Sequence, residues 1–360
     1  MADRPVLGVL GGGQLGRMLA LAAYPLDIET RLFDPAPDAC GGQVASLTSA
    51  GWDDLDAVRR WAERCDAVTY EFENVPEAVA RAVMEVAPLR PGVEALVTAQ
   101  DRVLERELFA RCGIATPRWV KADSAQELAA AVDGFPLPAI VKARRGGYDG
   151  KGQGGIASVD DAARVFAELG SVPVIVDERV AFDREVSVVA ARSGMAIAAY
   201  PAVVNAHHAG ILVRTDAAAG LVPGVAGMRA MERVAAALDY CGVLAVEFFD
   251  VGGALLANEF APRVHNTGHW TMDGAATGQF EQHVRAVMGL PLGAAEPVHA
   301  SVMVNLIGGV PTRAVLAACG GRVHLYGKSM KPGRKVGHVT FVGAGDAAGT
   351  LLGGNRYSEA

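Results

Sequence analysis

Apolar residues in this chain come in short runs, each closed by glycine, proline or a charge, and the early runs alternate with helix-like segments. Val6 to Leu10 reads as a buried strand, and Gly11-Gly12-Gly13-Gln14-Leu15-Gly16 follows as a glycine turn opening a helix through about Tyr24. A second strand, Ile28 to Phe33, ends at Asp34-Pro35, and a third, Ala67 to Tyr70, ends in Glu71-Phe72-Glu73-Asn74. This alternation implies a parallel sheet with helices on both faces. The glycines, with Asp34 about twenty residues on, fit the dinucleotide fingerprint. The same turn also suits a lone phosphate, a sugar phosphate or nothing but its own backbone.

Farther along, a charged helix is expected from about Thr98 to Arg111, ended by Cys112-Gly113. Between Pro138 and Val159 the pattern is strand, glycine-rich loop, strand, which predicts an antiparallel flap. A helix (Asp160 to Leu169), a strand (Val174 to Glu178) and two alternating runs (Glu185 to Ala191, Ala196 to Tyr200) follow. A helix from about Val225 to Tyr240 leads into a hairpin, Leu244 to Asp250 and Ala254 to Glu259, turned by Val251-Gly252-Gly253. Beyond Pro297 come short strands and a basic loop, Tyr326-Gly327-Lys328 through Arg334-Lys335-Val336-Gly337-His338. Gly353 to Ala360 read as a frayed end.

At 360 residues the chain suits two or three domains. With 33 basic and 40 acidic residues it has a net charge of −7, which argues against a nucleic-acid partner and requires any anionic substrate to meet local clusters of Lys and Arg. Cys40, Cys65, Cys112, Cys241 and Cys319 are far apart and odd in number, the pattern of reduced, buried thiols. No signal-peptide core and no apolar run of membrane-spanning length is visible, so a soluble, cytoplasmic protein is expected.

The chemistry concentrates at Asn258-Glu259-Phe260-Ala261-Pro262-Arg263-Val264-His265-Asn266, which sets a carboxylate, two amides, a guanidinium and an imidazole within nine residues. A carboxylate beside an amide suits Mg²⁺ shared with substrate phosphates, and Arg263 and His265 suit an anion. In a hairpin with a three-residue loop, Glu247 pairs with Ala257, and Glu247 and Glu259 become diagonal neighbours on one face. Two such carboxylates repel unless a cation lies between them, which points to a shared Mg²⁺. Lys142 ends an apolar strand before a loop carrying six glycines, Arg144 and Lys151, an anion lid in which backbone N–H groups approach phosphate oxygens. Glu178-Arg179-Val180-Ala181 could meet an adenine edge and Glu185 ribose hydroxyls, although an exposed strand connection reads equally well. His207 and His208 point opposite ways on an extended segment, so one meets ligand and the other solvent. Nothing resembles a zinc site or a Ser-His-Asp arrangement.

These residues give the chain its resemblance to the ATP-grasp ligases, and within them to the 5-(carboxyamino)imidazole ribonucleotide synthetase family, an ATP-dependent carboxylase family of microbial purine synthesis. Besides the segments already quoted, Thr69-Tyr70-Glu71-Phe72-Glu73-Asn74-Val75, Gln100-Asp101-Arg102, Gly147-Tyr148-Asp149-Gly150-Lys151-Gly152-Gln153 and Gly333-Arg334-Lys335 carry the match. Val336 stands where the family pattern leads one to expect Met.

The resemblance implies an α/β (α+β), three-domain ATP-grasp fold: a Rossmann-like preATP-grasp domain over 1–100, an ATP-grasp domain with the glycine-rich lid over 101–296, and a small C-terminal domain over 297–360. It implies contacts to ATP from Arg102, Lys142, Gly147, Tyr148, Asp149, Gly150, Lys151, Gly152 and Gln153. Further ATP contacts fall to Glu178, Arg179, Val180, Ala181, Glu185, His208, Asn258 and Glu259. Mg²⁺ would be held by Glu247 and Glu259. Aminoimidazole ribonucleotide would meet Glu73, Tyr148, Arg263, His265, Asn266, Lys328, Arg334 and Lys335. Lys142, Arg263, His265 and Asn266 would serve catalysis: bicarbonate attacks the γ-phosphate of ATP, and carboxyphosphate, or carbon dioxide from it, carboxylates the exocyclic amine. A homodimer is implied as well.

Competing readings are a related ligase, such as formate-dependent glycinamide ribonucleotide formyltransferase, an NAD-dependent oxidoreductase built on the N-terminal fingerprint, and a non-catalytic nucleotide sensor. The oxidoreductase leaves the flap, the Glu247/Glu259 pair and the basic tail without a use. A sensor would have lost one of the metal carboxylates, and both are present.

Overall fold

A computed structural model describes residues 4–147, 152–217 and 224–343. Tyr148, Asp149, Gly150 and Lys151 of the expected lid lie outside the described residues, as do Gly353 to Ala360.

Three sheets organise the chain. The first joins β1 (Val6–Leu10), β2 (Glu29–Phe33), β3 (Ser46–Thr48) and β4 (Ala67–Tyr70), all parallel, in the order β3-β2-β1-β4. Every residue of β1 and β4 is buried, because helices cover both faces and leave no side for polar alternation. The helix Gln14–Ala23 follows the glycine turn directly.

The second sheet is antiparallel: β5 (Trp119–Ala122), β6 (Ala139–Ala143), β7 (Gln153–Ile156) and β8 (Val174–Glu178), in the order β5-β8-β6-β7. The expected flap is the β6–β7 pair, with Lys142 opposite Gln153. The single helix expected from Thr98 to Arg111 is two, Val93–Ala99 and Arg102–Arg111. Asp101 breaks it by capping the second helix through Val103 N at 3.0 Å, and the same carboxylate takes Arg144 and Arg145.

The third sheet has nine strands: β9 (Arg184–Ser193), β10 (Ala196–Ala199), β11 (Val203–His208), β12 (Ile211–Asp216), β13 (Gly242–Val251), β14 (Ala254–Ala261), β15 (Ser301–Ile307), β16 (Arg322–Leu325) and β17 (Lys335–Val342). Its path is β14-β13-β9-β11-β12-β15-β17-β16, with β10 on β9. The boundary expected between 296 and 297 therefore falls inside one hydrogen-bonded sheet, since β15 pairs with β12.

The β13–β14 hairpin departs from the expected register in two compensating ways. Its loop is the two residues Gly252 and Gly253, both at positive φ, which brings Val251 opposite Ala254. That shorter loop would turn Glu259 to the face opposite Glu247. A bulge at Asn258 restores it: Phe248 pairs with Ala257 and Glu247 with Glu259, so Asn258 is the extra residue. The two carboxylates are direct cross-strand neighbours, not diagonal ones.

Candidate active site

A cleft of about 730 Å³ opens where the three sheets meet. The first sheet contributes Gln14, Glu71 and Glu73, and the flap contributes Lys142, Gly147 and Gln153. Arg102 enters from its helix, and the large sheet supplies Glu185, His207, Glu247, Asn258 and Glu259. Arg263, His265 and Asn266 follow β14, and Lys328 and Lys335 close the far side.

Several expected residues stand elsewhere. Glu178, Arg179, Val180, Ala181 and Gly152 are not among the cleft-lining residues. His208 is exposed, and it is His207, on the same face of β11 as Asn205, that lines the cleft. His207 Nδ1 lies 2.5 Å from Glu185 Oε2. Burial works against its charge, but Glu185 and Glu247 beside it hold the imidazole above the usual histidine range. Arg334 does not line the cleft either, and its guanidinium is bound to Ser329 through O and Oγ, at 3.3 and 2.6 Å.

Glu247 is the most perturbed carboxylate in the cleft: burial, then the facing Glu259, push it up to about 7. No group of three or more His, Cys, Asp or Glu side chains forms a metal site among the described residues. A pair of hard carboxylate oxygens that repel each other fits Mg²⁺, which takes one or two protein carboxylates and draws its other ligands from phosphates and water.

Lys142 Nζ, only 12% exposed, lies 2.8 Å from Asp177 Oδ2 on the neighbouring strand β8. Arg263 forks onto Glu73, with Nε on Oε2 and Nη2 on Oε1 at 2.9 Å. Burial alone would raise Glu73, yet the guanidinium beside it holds its carboxyl below the usual range. His265 is held well below the ordinary imidazole value by burial and then by Arg263, so it is neutral at neutral pH. Its Nδ1 lies 2.9 Å from Thr267 Oγ1, and its Nε2 lies 3.8 Å from Glu247 Oε1. The Asn266 side chain has both polar atoms buried and without a hydrogen-bond partner among the described residues. A buried amide in that state has donor and acceptor capacity left for a ligand, an ion or an ordered water.

The N-terminal glycine loop is already occupied by the protein itself. Gly13 N and Gly16 N both donate to the buried Glu71 carboxylate, the latter at 2.6 Å, and Gly12 N donates to Asp34 Oδ2 at 2.7 Å. A pyrophosphate would find its donors taken and a carboxylate in its place, so the oxidoreductase reading loses its physical basis. Gln14 instead turns outward and accepts from Lys328 Nζ at 2.7 Å.

The sequence leaves open which of His207 and His208 meets ligand, and it does not point to Glu71, Gln14, Asp177, Phe182 or Phe249 as site residues. Phe249 was within reach, because strand alternation puts it on the face of Glu247, and it stacks on Phe182 with ring centroids 4.9 Å apart. Asp177 had no local signal.

Compared with known proteins, the chain is 47% identical over 337 residues to the N5-carboxyaminoimidazole ribonucleotide synthase of Pseudomonas aeruginosa, covering 93% of this chain and 94% of that one. The chain belongs to the N5-carboxyaminoimidazole ribonucleotide synthase family. Three family models match in order: the ribonucleotide synthetase preATP-grasp domain at 5–100, the ATP-grasp domain at 107–280, and the phosphoribosylaminoimidazole carboxylase C-terminal domain at 301–349. The crystal structure of the synthetase of this family from Thermus thermophilus has a TM-score of 0.90 at 45% identity, covering 96% of both chains. The family's enzyme from Aspergillus clavatus, crystallised with ADP and 5-aminoimidazole ribonucleotide, has a TM-score of 0.89 at 28% identity, covering 98% of this chain and 97% of that one. The resemblance drawn from the motifs and the ATP-grasp fold it implied both hold.

Proposed function

We infer that this chain is an ATP-dependent carbon–nitrogen ligase that carboxylates 5-aminoimidazole ribonucleotide with bicarbonate, giving 5-carboxyamino-1-(5-phospho-D-ribosyl)imidazole for purine synthesis. The observation that carries the reading is the Glu247/Glu259 pair set in one cleft with Lys142, Arg263, His265 and the unpartnered amide of Asn266.

The phosphates of ATP lie by Lys142 and the flap, where a fixed cation stabilises charge that develops on the transferred phosphoryl group. Glu247 and Glu259 would hold Mg²⁺, which would neutralise phosphate charge. Bicarbonate oxygen attacks the γ-phosphorus as the bond to ADP breaks, which gives carboxyphosphate. Arg263, fixed by Glu73, and the Asn266 amide orient the bicarbonate. The exocyclic amine then forms the carbon–nitrogen bond as phosphate leaves. The departing phosphate carries off the proton that the amine loses, and neutral His265, whose Nδ1 accepts from Thr267 N at 3.4 Å, keeps its own proton on Nε2 and donates from there. The ribonucleotide phosphate lies by Lys328 and Lys335.

The three-part division at 100 and 296, a cytoplasmic location and a homodimer belong to the same reading. No helix among the described residues is long and apolar enough to cross a membrane.

Phosphate release from ATP tests the reading. It should require aminoimidazole ribonucleotide and bicarbonate together. Release driven by formate and glycinamide ribonucleotide would favour the formyltransferase.

A further inference from the structure

Two parts of the cleft must be in register for phosphoryl transfer, the lysine on β6 and the carboxylate pair on β13 and β14. They belong to different sheets and no strand joins them. A single buried side chain does. Arg106, on the helix Arg102–Arg111, is fully buried. Its Nη2 donates to Asp177 Oδ2 at 3.1 Å, the same oxygen that Lys142 Nζ holds at 2.8 Å. Its Nη1 donates to the carbonyl of Asn258 at 2.7 Å. Asn258 is the extra residue of the bulge that turns Glu259 toward Glu247, and its carbonyl is displaced from the regular ladder. The preceding side chain, Glu105, accepts from Phe260 N at 2.6 Å. Adjacent residues of one helix thus hold the backbone on both sides of Glu259.

We propose that Arg106 is a positioning residue that ties the ATP-phosphate lysine, through Asp177, to the bulge carrying the metal carboxylate.

A purely structural buried ion pair is the competing explanation, and the arrangement argues against it. Buried ion pairs contribute little net stability unless every group is satisfied. Here Arg106 Nε and Asp177 Oδ1 are both buried without a partner among the described residues. The guanidinium fork reaches Asp177 and the Asn258 carbonyl in fixed directions, with a longer contact from Nη1 to Glu105 Oε2 at 3.3 Å, a set of directions that an ammonium does not impose. One end of that fork sets the Lys142 position and the other sets the bulge, so a loss at Arg106 displaces both halves of the ATP–metal site together. The ribonucleotide side, built on Lys328 and Lys335, is not held by this network.

The proposal rests on reading Lys142 and Glu259 as the ATP and metal groups, so Lys142→Ala and Glu259→Gln are measured beside Arg106→Met, Arg106→Lys and Asp177→Asn. Apparent constants for ATP, Mg²⁺ and the ribonucleotide come from phosphate release, with circular dichroism and melting curves to confirm folding. Arg106→Met should raise the ATP and Mg²⁺ constants together by tenfold or more and leave the ribonucleotide constant within about twofold. Arg106→Lys, which can reach one acceptor, should recover one of the two constants and not both. Combined with Lys142→Ala, Arg106→Met should add less than its separate effect on the ATP constant.

A folded Arg106→Met with all three constants unchanged, or with all three raised equally, overturns the proposal. If Arg106→Met does not fold, Arg106→Lys and Asp177→Asn decide by the same split. Should Lys142→Ala and Glu259→Gln leave ATP and Mg²⁺ constants untouched, the reading of the site fails, and the proposal with it. Should those two behave as expected while the Arg106 variants do not, only the proposal fails.

Discussion

At the scale of single residues, Glu247 should set the pH dependence of the site. Its folded-state value is about 7 against an ordinary 4.5, because burial and Glu259 disfavour its charge. Without metal, the native state keeps a proton there that the unfolded chain has lost, so that stability contribution fades as pH rises from about 4.5 through about 7. Metal binding must displace the proton, so Mg²⁺ affinity should weaken roughly tenfold per pH unit below about 7. Calorimetric titration of Mg²⁺ with a non-hydrolysable ATP analogue, from acid to neutral pH, checks this. Glu105, behind the strand, is also pushed up to about 7 by burial, so Glu247→Gln supplies the control and should flatten the profile. An unchanged slope in that variant would assign the titration to Glu105. The carboxylate pair was legible as chemistry in the sequence, but its register was not. The bulge that sets it is held by side chains 152 and 155 residues away. The same limit explains His208: alternation shows that neighbouring histidines diverge, and only the pairing of β11 with β9, which sets His207 against Glu185, decides which one faces the cleft.

Among elements, the N-terminal turn shows how one local pattern serves two ends. β1, the glycine turn and the helix after it were readable to within a residue, since apolar runs and glycines act locally. What the turn binds was not readable, because its acceptor, Glu71, arrives from the end of β4. Glu71→Ala would leave the N–H groups of Gly13 and Gly16 without an acceptor in a buried place. Each orphaned donor costs about 1–3 kcal/mol, so the melting temperature should drop by several degrees while NADH binding stays absent. Differential scanning calorimetry and NADH fluorescence check the two halves. NADH binding on removal of the carboxylate would mean that Glu71 had been masking a dinucleotide site. The hairpin depends on distant contacts in the same way: the pattern predicts a three-residue turn, the turn has two residues, and the bulge at Asn258 restores the face.

Across the whole molecule, the cleft is completed by contacts that span most of the chain. Lys328 is held by Gln14, 314 residues earlier, and Gln43 Nε2 donates to the carbonyl of Gly327 at 3.0 Å. A basic tail loop was visible in the sequence, but not which of its cations reach the cleft. Lys328 and Lys335 do, while Arg334 turns to Ser329. Lys328→Ala should raise the apparent constant for the ribonucleotide by about 10- to 100-fold, as expected for a charge-assisted hydrogen bond of roughly 1.5–3 kcal/mol. The ATP constant should stay within about twofold, and Arg334→Ala should have the smaller effect on the ribonucleotide. Steady-state kinetics with each substrate varied decides, and a parallel rise in the ATP constant would merge the two sites. The continuity of the large sheet also bears on how the protein can be divided. Cutting at 296 would strip β15 from β12 and leave Arg214, Thr215 and Asp216 on an open margin of unpaired N–H and C=O groups. Such a margin is a template for further strands. The shortened chain should therefore elute from size-exclusion columns as oligomers or aggregate, because what looks like a small appended unit is the guard rail of the sheet before it.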